Sequence, residues 1–194
     1  MKKYLFMAIS ALAAVALVSC NKDDEVKKNT TKDYGDVAKV CINEVCGVTG
    51  YKGVELYNAD TKVVSLEGVG LFKNDAAEAT WTGTESDEIP AGGYFVIKSK
   101  KETGQIDAVA NAKAADSFSP GQTLKLVLKK GSTELSSFIR GVEPWSTVIE
   151  AVTWSFGRTT DGGSQWKFLD ITIGATNNNA AQHGDITANP AASE

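Results

Sequence analysis

Residues able to do chemistry are few in this chain of 194 residues, and most of them are carboxylates. Asp75, Glu78, Glu85, Asp87 and Glu88 gather around Trp81. Paired carboxylates can run glycoside hydrolysis, so this is where such a site would be sought. The group lacks the alternating Asp/Asn spacing of a calcium loop. A weak calcium or cationic-ligand site is one reading, and a solvated acidic loop that keeps an edge strand soluble is the plainer one. Trp145 follows a proline in "GVEPWS". It is either an aromatic platform for a sugar or protein partner or a lid on the end of a core. The single histidine, His183, sits in a small polar tail, which leaves no Ser-His-Asp or Cys-His arrangement on rigid elements. Zinc-ligand spacing is missing, and the glycines of "GVTGYKGVE" fit neither the P-loop nor the dinucleotide fingerprint. The expectation is a protein without cofactor, metal or catalysis of its own.

Two charges stand out by their position in a pattern. In "VCINEV", Glu44 shares the parity of Val40 and Ile42, which places a carboxylate on an apolar face. In "VTWSFGR", Arg158 shares the parity of Val152, Trp154 and Phe156. A lone buried charge costs several kcal/mol, so the spacing predicts a buried Glu44–Arg158 salt bridge whose loss costs about 3–5 kcal/mol. The stretch "SFGRTTDGGSQW" is then a hairpin that clasps the first strand, with Asp-Gly-Gly-Ser supplying the turn.

The elements that would position these residues are short strands. "GVELYN", "KVVSL", "GYFVIKS" and "TLKLVLKK" alternate apolar and polar residues, and "NAD", "PAGG", "SPGQ", "KKGS" and "TDGGS" punctuate them as turns. Leu124, Leu126 and Leu128 share one face, as do Phe95 and Ile97. The pattern predicts an all-β antiparallel sandwich or barrel over residues 37–177. Residues 101–118 read either as a helical turn or as an irregular crossing between sheets. The polar residues 178–194 read as a fraying tail. Cys41 and Cys46 lie five residues apart, about 16 Å along an extended strand. A disulfide needs roughly 4.4–6.8 Å between Cα atoms, so free thiols are expected.

The front of the chain speaks to location. Two lysines, an apolar run from Leu5 to Val18 and small residues make a signal peptide over 1–19, too short for a membrane span. Leu17-Val18-Ser19-Cys20 resembles the lipobox of bacterial lipoproteins, which implies lipidation at Cys20 and membrane anchoring through acyl chains. Residues 20–36 are charged and poorly apolar, as in a flexible tether. Asn21-Lys22-Asp23-Asp24-Glu25 resembles the acidic signals that send lipoproteins to the outer face of the outer membrane. Without Lys2 and Lys3 the chain keeps 18 basic against 24 acidic residues, a net charge of −6 that disfavours nucleic acid.

Taken in order, "INEV" (42–45), "VELYN" (54–58), "VSLEGVGL" (64–71), "AGGYFVI" (91–97), "FSPGQTLKL" (118–126), "SFGRTTDG" (155–162) and "GATN" (174–177) resemble the lamin-tail domain family. The resemblance implies an immunoglobulin-like β-sandwich. Val69 stands where the family often has tryptophan, Ala59 where proline usually follows "YN", and Ile173 where proline precedes the glycine. Such domains often serve as attachment units, which implies a surface-exposed, lipid-anchored binding or adhesion module with an unknown protein or glycan partner. An accessory lipoprotein of an outer-membrane assembly is the alternative, and a calcium- or carbohydrate-binding accessory domain the third.

Overall fold

The period-two runs become strands, because alternation gives each one an apolar face to bury and a polar face to leave in water. The computed structural model describes residues 32–119, 124–140 and 153–185. Cys20 and Trp145 lie outside the described residues. A 3-10 turn, Val37–Lys39, leads into β1 (Val40–Cys46), β2 (Gly53–Asn58), β3 (Val64–Ser65), β4 (Val69–Lys73) and β5 (Trp81–Thr82). The chain continues through β6 (Glu88–Ile89), β7 (Tyr94–Lys98), β8 (Ala112–Lys113), β9 (Leu124–Lys130) and β10 (Thr133–Arg140). It ends with β11 (Ser155–Arg158), β12 (Trp166–Leu169) and β13 (Gln182–Asp185).

Seven strands form one sheet in the order β13-β12-β11-β1-β2-β7-β8, and four form a second in the order β10-β9-β4-β5. β3 and β6 make a separate ribbon. All described pairings are antiparallel except β7 with β8. Val40, Ile42, Val45, Leu56, Phe95, Ile97 and Phe156 of the large sheet share one core with Leu71, Leu124, Leu126, Leu128 and Phe138 of the small one. Each such side chain contributes about 1.5–3 kcal/mol by leaving water. The protein is an all-β, immunoglobulin-like antiparallel sandwich. Val69 is fully buried in this core without a larger ring at that position. Cys41 and Cys46 are free thiols.

Three local readings change. "VSLEGVGL" is broken into β3 and β4 by a turn in which Gly68 takes φ +70° and Val69 N donates to Leu66 O at 2.9 Å. Residues 101–118 contain one 3-10 turn, Gln105–Ala108, and then return to the same sheet as β8 beside β7, so the chain does not cross between sheets before residue 114. That turn puts Ile106 with Cys46, Val96 and Ile173 in a small second core on the outer face of the large sheet. Finally, the folded part reaches past both expected limits. Lys62 pairs with Asp33 at 2.6 Å and Gly35 N donates to Val63 O, so the tether is docked before residue 37. Beyond Asn177 the chain is not a frayed tail as far as Asp185, because β13 pairs with β12.

The expected Glu44–Arg158 salt bridge does not form. The register of β1 against β2 shifts between Ile42 and Glu44, a β-bulge that reverses the parity of the residues after it. Glu44 therefore faces the outer side of the sheet, where its carboxyl accepts from Thr172 N at 3.1 Å and its Oε2 lies 2.6 Å from Thr172 Oγ1. Arg158 keeps the inward parity of Phe156 and serves the bulge itself. Its Nε donates to Ile42 O at 2.7 Å and its Nη1 to Gly163 O, and the guanidinium lies 4.9 Å from the Trp166 ring centroid. Ser136 of the facing sheet accepts from Ile42 N at 3.1 Å, so both backbone groups of Ile42, just before the unpaired Asn43, are satisfied by side chains. Arg158→Met should cost about 1–3 kcal/mol, the penalty for a buried carbonyl left without its donor. Urea unfolding of variant and parent measures it.

Candidate functional site: a buried polar cluster

The acids around Trp81 do not converge on it. Trp81 is only 7% exposed and packs in the main core, its ring centroid 5.3 Å from that of Phe95. Asp75 pairs with Lys125 at 2.7 Å. Asp87 accepts from Thr84 N and Oγ1 and so closes its own turn, while Glu88 accepts from the Tyr34 hydroxyl. Glu78 and Glu85 are exposed. Among the described residues no three or more His, Cys, Asp or Glu side chains are placed to hold a metal. A surface groove of about 370 Å³, lined in part by Tyr34, Asp36, Ser65, Glu67 and Lys130, shares only Tyr34 with this region.

The dense polar chemistry lies instead on the outer face of the large sheet. Strand alternation sends Val54 and Leu56 into the sandwich and Glu55 outward, directly opposite Glu44 across the β1–β2 pairing. Both acids and Asn43 are fully buried, because residues 171–177 run over them. Gly174 N donates to Glu55 Oε2 at 2.6 Å, and Asn177 N to Asp161 Oδ1 at 3.1 Å. Asn43 acts as a hub. Its Nδ2 donates to Glu55 Oε1 and Asp161 Oδ1 at 2.8 and 2.9 Å, and its Oδ1 accepts from Gly162 N. Asn177, 1% exposed, donates through Nδ2 to the carbonyls of Asn43 and Arg158 at 3.3 and 3.0 Å. Gly157 leaves room for it, since a Cβ there would lie 3.1 Å from Asn177 Nδ2 and 2.6 Å from Leu169 Cδ1.

Environment divides the three acids. Burial pushes the Glu44 carboxyl above its ordinary range, only partly offset by hydrogen bonds from Thr172 and Ser155. Burial first, and the neighbouring Glu44 second, push Glu55 up to about 9. Burial acts on Asp161 in the same direction, but donors from Thr176, Asn177, Tyr94 and Asn43 overcome it and hold Asp161 below its usual range. Cys46, beneath the same cover, is pushed up to about 12 by burial, which makes it a poor nucleophile. Carboxyls with opposed shifts can mark an acid/base pair. Here every one is turned towards protein donors, and what the arrangement does is hold residues 171–177 against the sheet.

Of the residues singled out from sequence, Glu44 belongs to this cluster and Arg158 borders it through its backbone carbonyl. Sequence reasoning misses Glu55, Asn43, Asp161, Thr172 and Asn177. The available signal is "VELYN", where an acid sits between core residues on a strand at the sheet centre. His183, expected in a solvated tail, instead lies 2.6 Å from Asp170 Oδ1 and stacks on Trp154 at 4.7 Å and 12°.

Asn177→Ala should cost about 2–4 kcal/mol, since it strips the buried carbonyls of Asn43 and Arg158 of a shared donor and leaves Thr172 one acceptor fewer. Gly157→Ala should also destabilise, by about 1–3 kcal/mol, because the new methyl displaces the same amide. Thermal and urea unfolding of each variant give the values. No protein-family model matches this chain, and no curated protein matches it.

Proposed function

We propose that this protein is a lipid-anchored binding module of lamin-tail-like type, displayed at the cell surface and without catalysis of its own. The observation that supports this reading is the inward use of the buried acids: Glu44, Glu55 and Asp161 face backbone and side-chain donors of their own domain. Carboxyls engaged in this way stabilise a scaffold. The order of the motifs from "INEV" to "GATN" supports the lamin-tail comparison, and the Leu17-Val18-Ser19-Cys20 sequence supports the anchor. For partner contact the reading favours Trp154 over Trp81. Trp154 is 38% exposed and held in place by His183, whereas Trp81 is enclosed in the core.

Crosslinking on intact cells, with identification of what is captured, tests the proposal. The parent should capture a protein or glycan partner, Trp154→Ala should capture at least several-fold less while the domain stays folded, and Cys20→Ala should leave the membrane fraction. Capture of one integral membrane protein in fixed ratio would favour an assembly subunit instead. Full protection from external protease until lysis would remove surface display.

A further inference from the structure

The hydrogen bonds of the cluster contain a proton count that balances only if one acid is neutral. Thr172 Oγ1 lies 2.6 Å from Glu44 Oε2 and 2.6 Å from Asn177 Oδ1. A hydroxyl has a single proton to donate. Asn177 cannot supply another to that contact, because its Nδ2 is directed at two carbonyl oxygens and its Oδ1 therefore points at Thr172. The proton must come from Glu44, giving a relay from the Glu44 carboxyl to the Thr172 hydroxyl to the Asn177 carbonyl. Glu55 sits directly opposite Glu44, where two like charges repel most strongly. Neither acid makes an ion pair with a described lysine or arginine. The other titratable groups facing them are Asp161 from the β11–β12 turn, Tyr94 from β7, and Cys46 on β1 with Lys52 and Glu102 beyond it. Asp161 is an anion there, which further disfavours a second one.

We propose that residues 171–177 form a proton-held latch, docked on the sheet while Glu44 keeps its proton and released when that proton is lost. The docked state holds more protons than the open one, so its stability falls as pH rises. Docking is fully supported below the ordinary carboxylate range, near about pH 4.3 for a glutamate. It is lost progressively as pH rises towards the raised value of Glu44 in the fold. Asp161 is shifted the other way, and its contribution disappears only at more acid pH. The retained proton weakens docking by up to about tenfold per pH unit inside the window. The proposal is independent of what the domain binds.

Hydrogen exchange of the intact domain tests it, with rates at Thr172, Gly174 and Asn177 divided by the intrinsic rate at each pH. Between pH 5.5 and 8.5 their protection should fall at least roughly tenfold while that of Leu126 in β9 holds. The variant Glu44→Gln, whose amide can accept from Thr172 N and donate to Thr172 Oγ1 as the neutral acid does, should hold its protection at pH 8.5. Carbon-13 labelling of the glutamate carboxyls should show Glu44 as the neutral acid at pH 7 in the parent. An ionised Glu44 at pH 7, parent protection that does not change with pH, or a Glu44→Gln variant that loses protection as the parent does would each overturn the latch. Should the variant not fold, the two measurements on the parent still decide.

Discussion

Two carboxyl groups meet across neighbouring strands at the centre of a seven-stranded sheet, and the rest of the outer face is arranged around that meeting. Burial of such groups is costly unless each oxygen finds a donor. The domain supplies those donors from segments far away in sequence. Thr172 lies 128 positions from Glu44, and Gly174 lies 119 from Glu55. Asn43 then ties both acids' neighbourhood to the Asp161 turn. The closing segment is thus held to the sheet by the acids it covers. The two requirements are reciprocal, since neither Glu44 nor Glu55 would be buried without residues 171–177, and those residues would have little to bind without the acids.

The bulge at Ile42–Glu44 makes this possible. Were the pairing regular through Asn43, Glu44 would point into the sandwich, among the apolar side chains of Val40, Ile42 and Phe156. With it, one strand serves two interiors: Val40, Ile42 and Val45 enter the main core, while Cys46 enters the second and Glu44 the polar layer. Arg158 completes the distortion from the inner side by donating to the Ile42 carbonyl. A cation and an anion that look like partners are consequently back to back across one strand. They stabilise the same irregularity from opposite faces.

How much of this can be read from residues alone depends on the range of each interaction. Alternation is local, so β1, β2, β7 and β9 and their core faces are legible in "VCINEVC", "GVELYN", "YFVIK" and "LKLVLKK". The hairpin around Asp161-Gly162-Gly163 is legible for the same reason, since turn chemistry acts over a few residues. The bulge is not, because nothing in "CINEV" distinguishes a paired residue from an inserted one until the partner strand is known. Glu55 is opaque for a different reason. On a sheet with one wet face its outward parity means solvent, and only the distant segment 171–177 converts that face into an interior. Composition misleads about the tail: Gln182 and His183 have little strand propensity, and pairing with β12 plus stacking on Trp154 supplies what propensity lacks. Exposure of a tryptophan is likewise a property of where sheets overlap: Trp81 is enclosed although acids surround it in sequence, and Trp154 stays exposed.

A polar layer is an unusual choice for a segment that must stay docked, since an apolar one would stabilise at least as well. Its advantage is direction. Residues 171–173, Ile-Thr-Ile, alternate apolar and polar, so a slip by one residue would press isoleucine on the carboxyls and carry threonine into the small core. Hydrophobic contact alone distinguishes these registers weakly, because Ile171 and Ile173 are nearly interchangeable as fillers. The amide of Asn177 and the hydroxyl of Thr172 distinguish them strongly, because each has a single geometry that satisfies Asn43, Arg158 and Glu44 together. With Cys41 and Cys46 unpaired, no covalent bond between described residues fixes where the chain ends on the sheet. That task falls to hydrogen bonds, and a closure hydrogen-bonded through buried carboxyls responds to protons in a way that a disulfide does not.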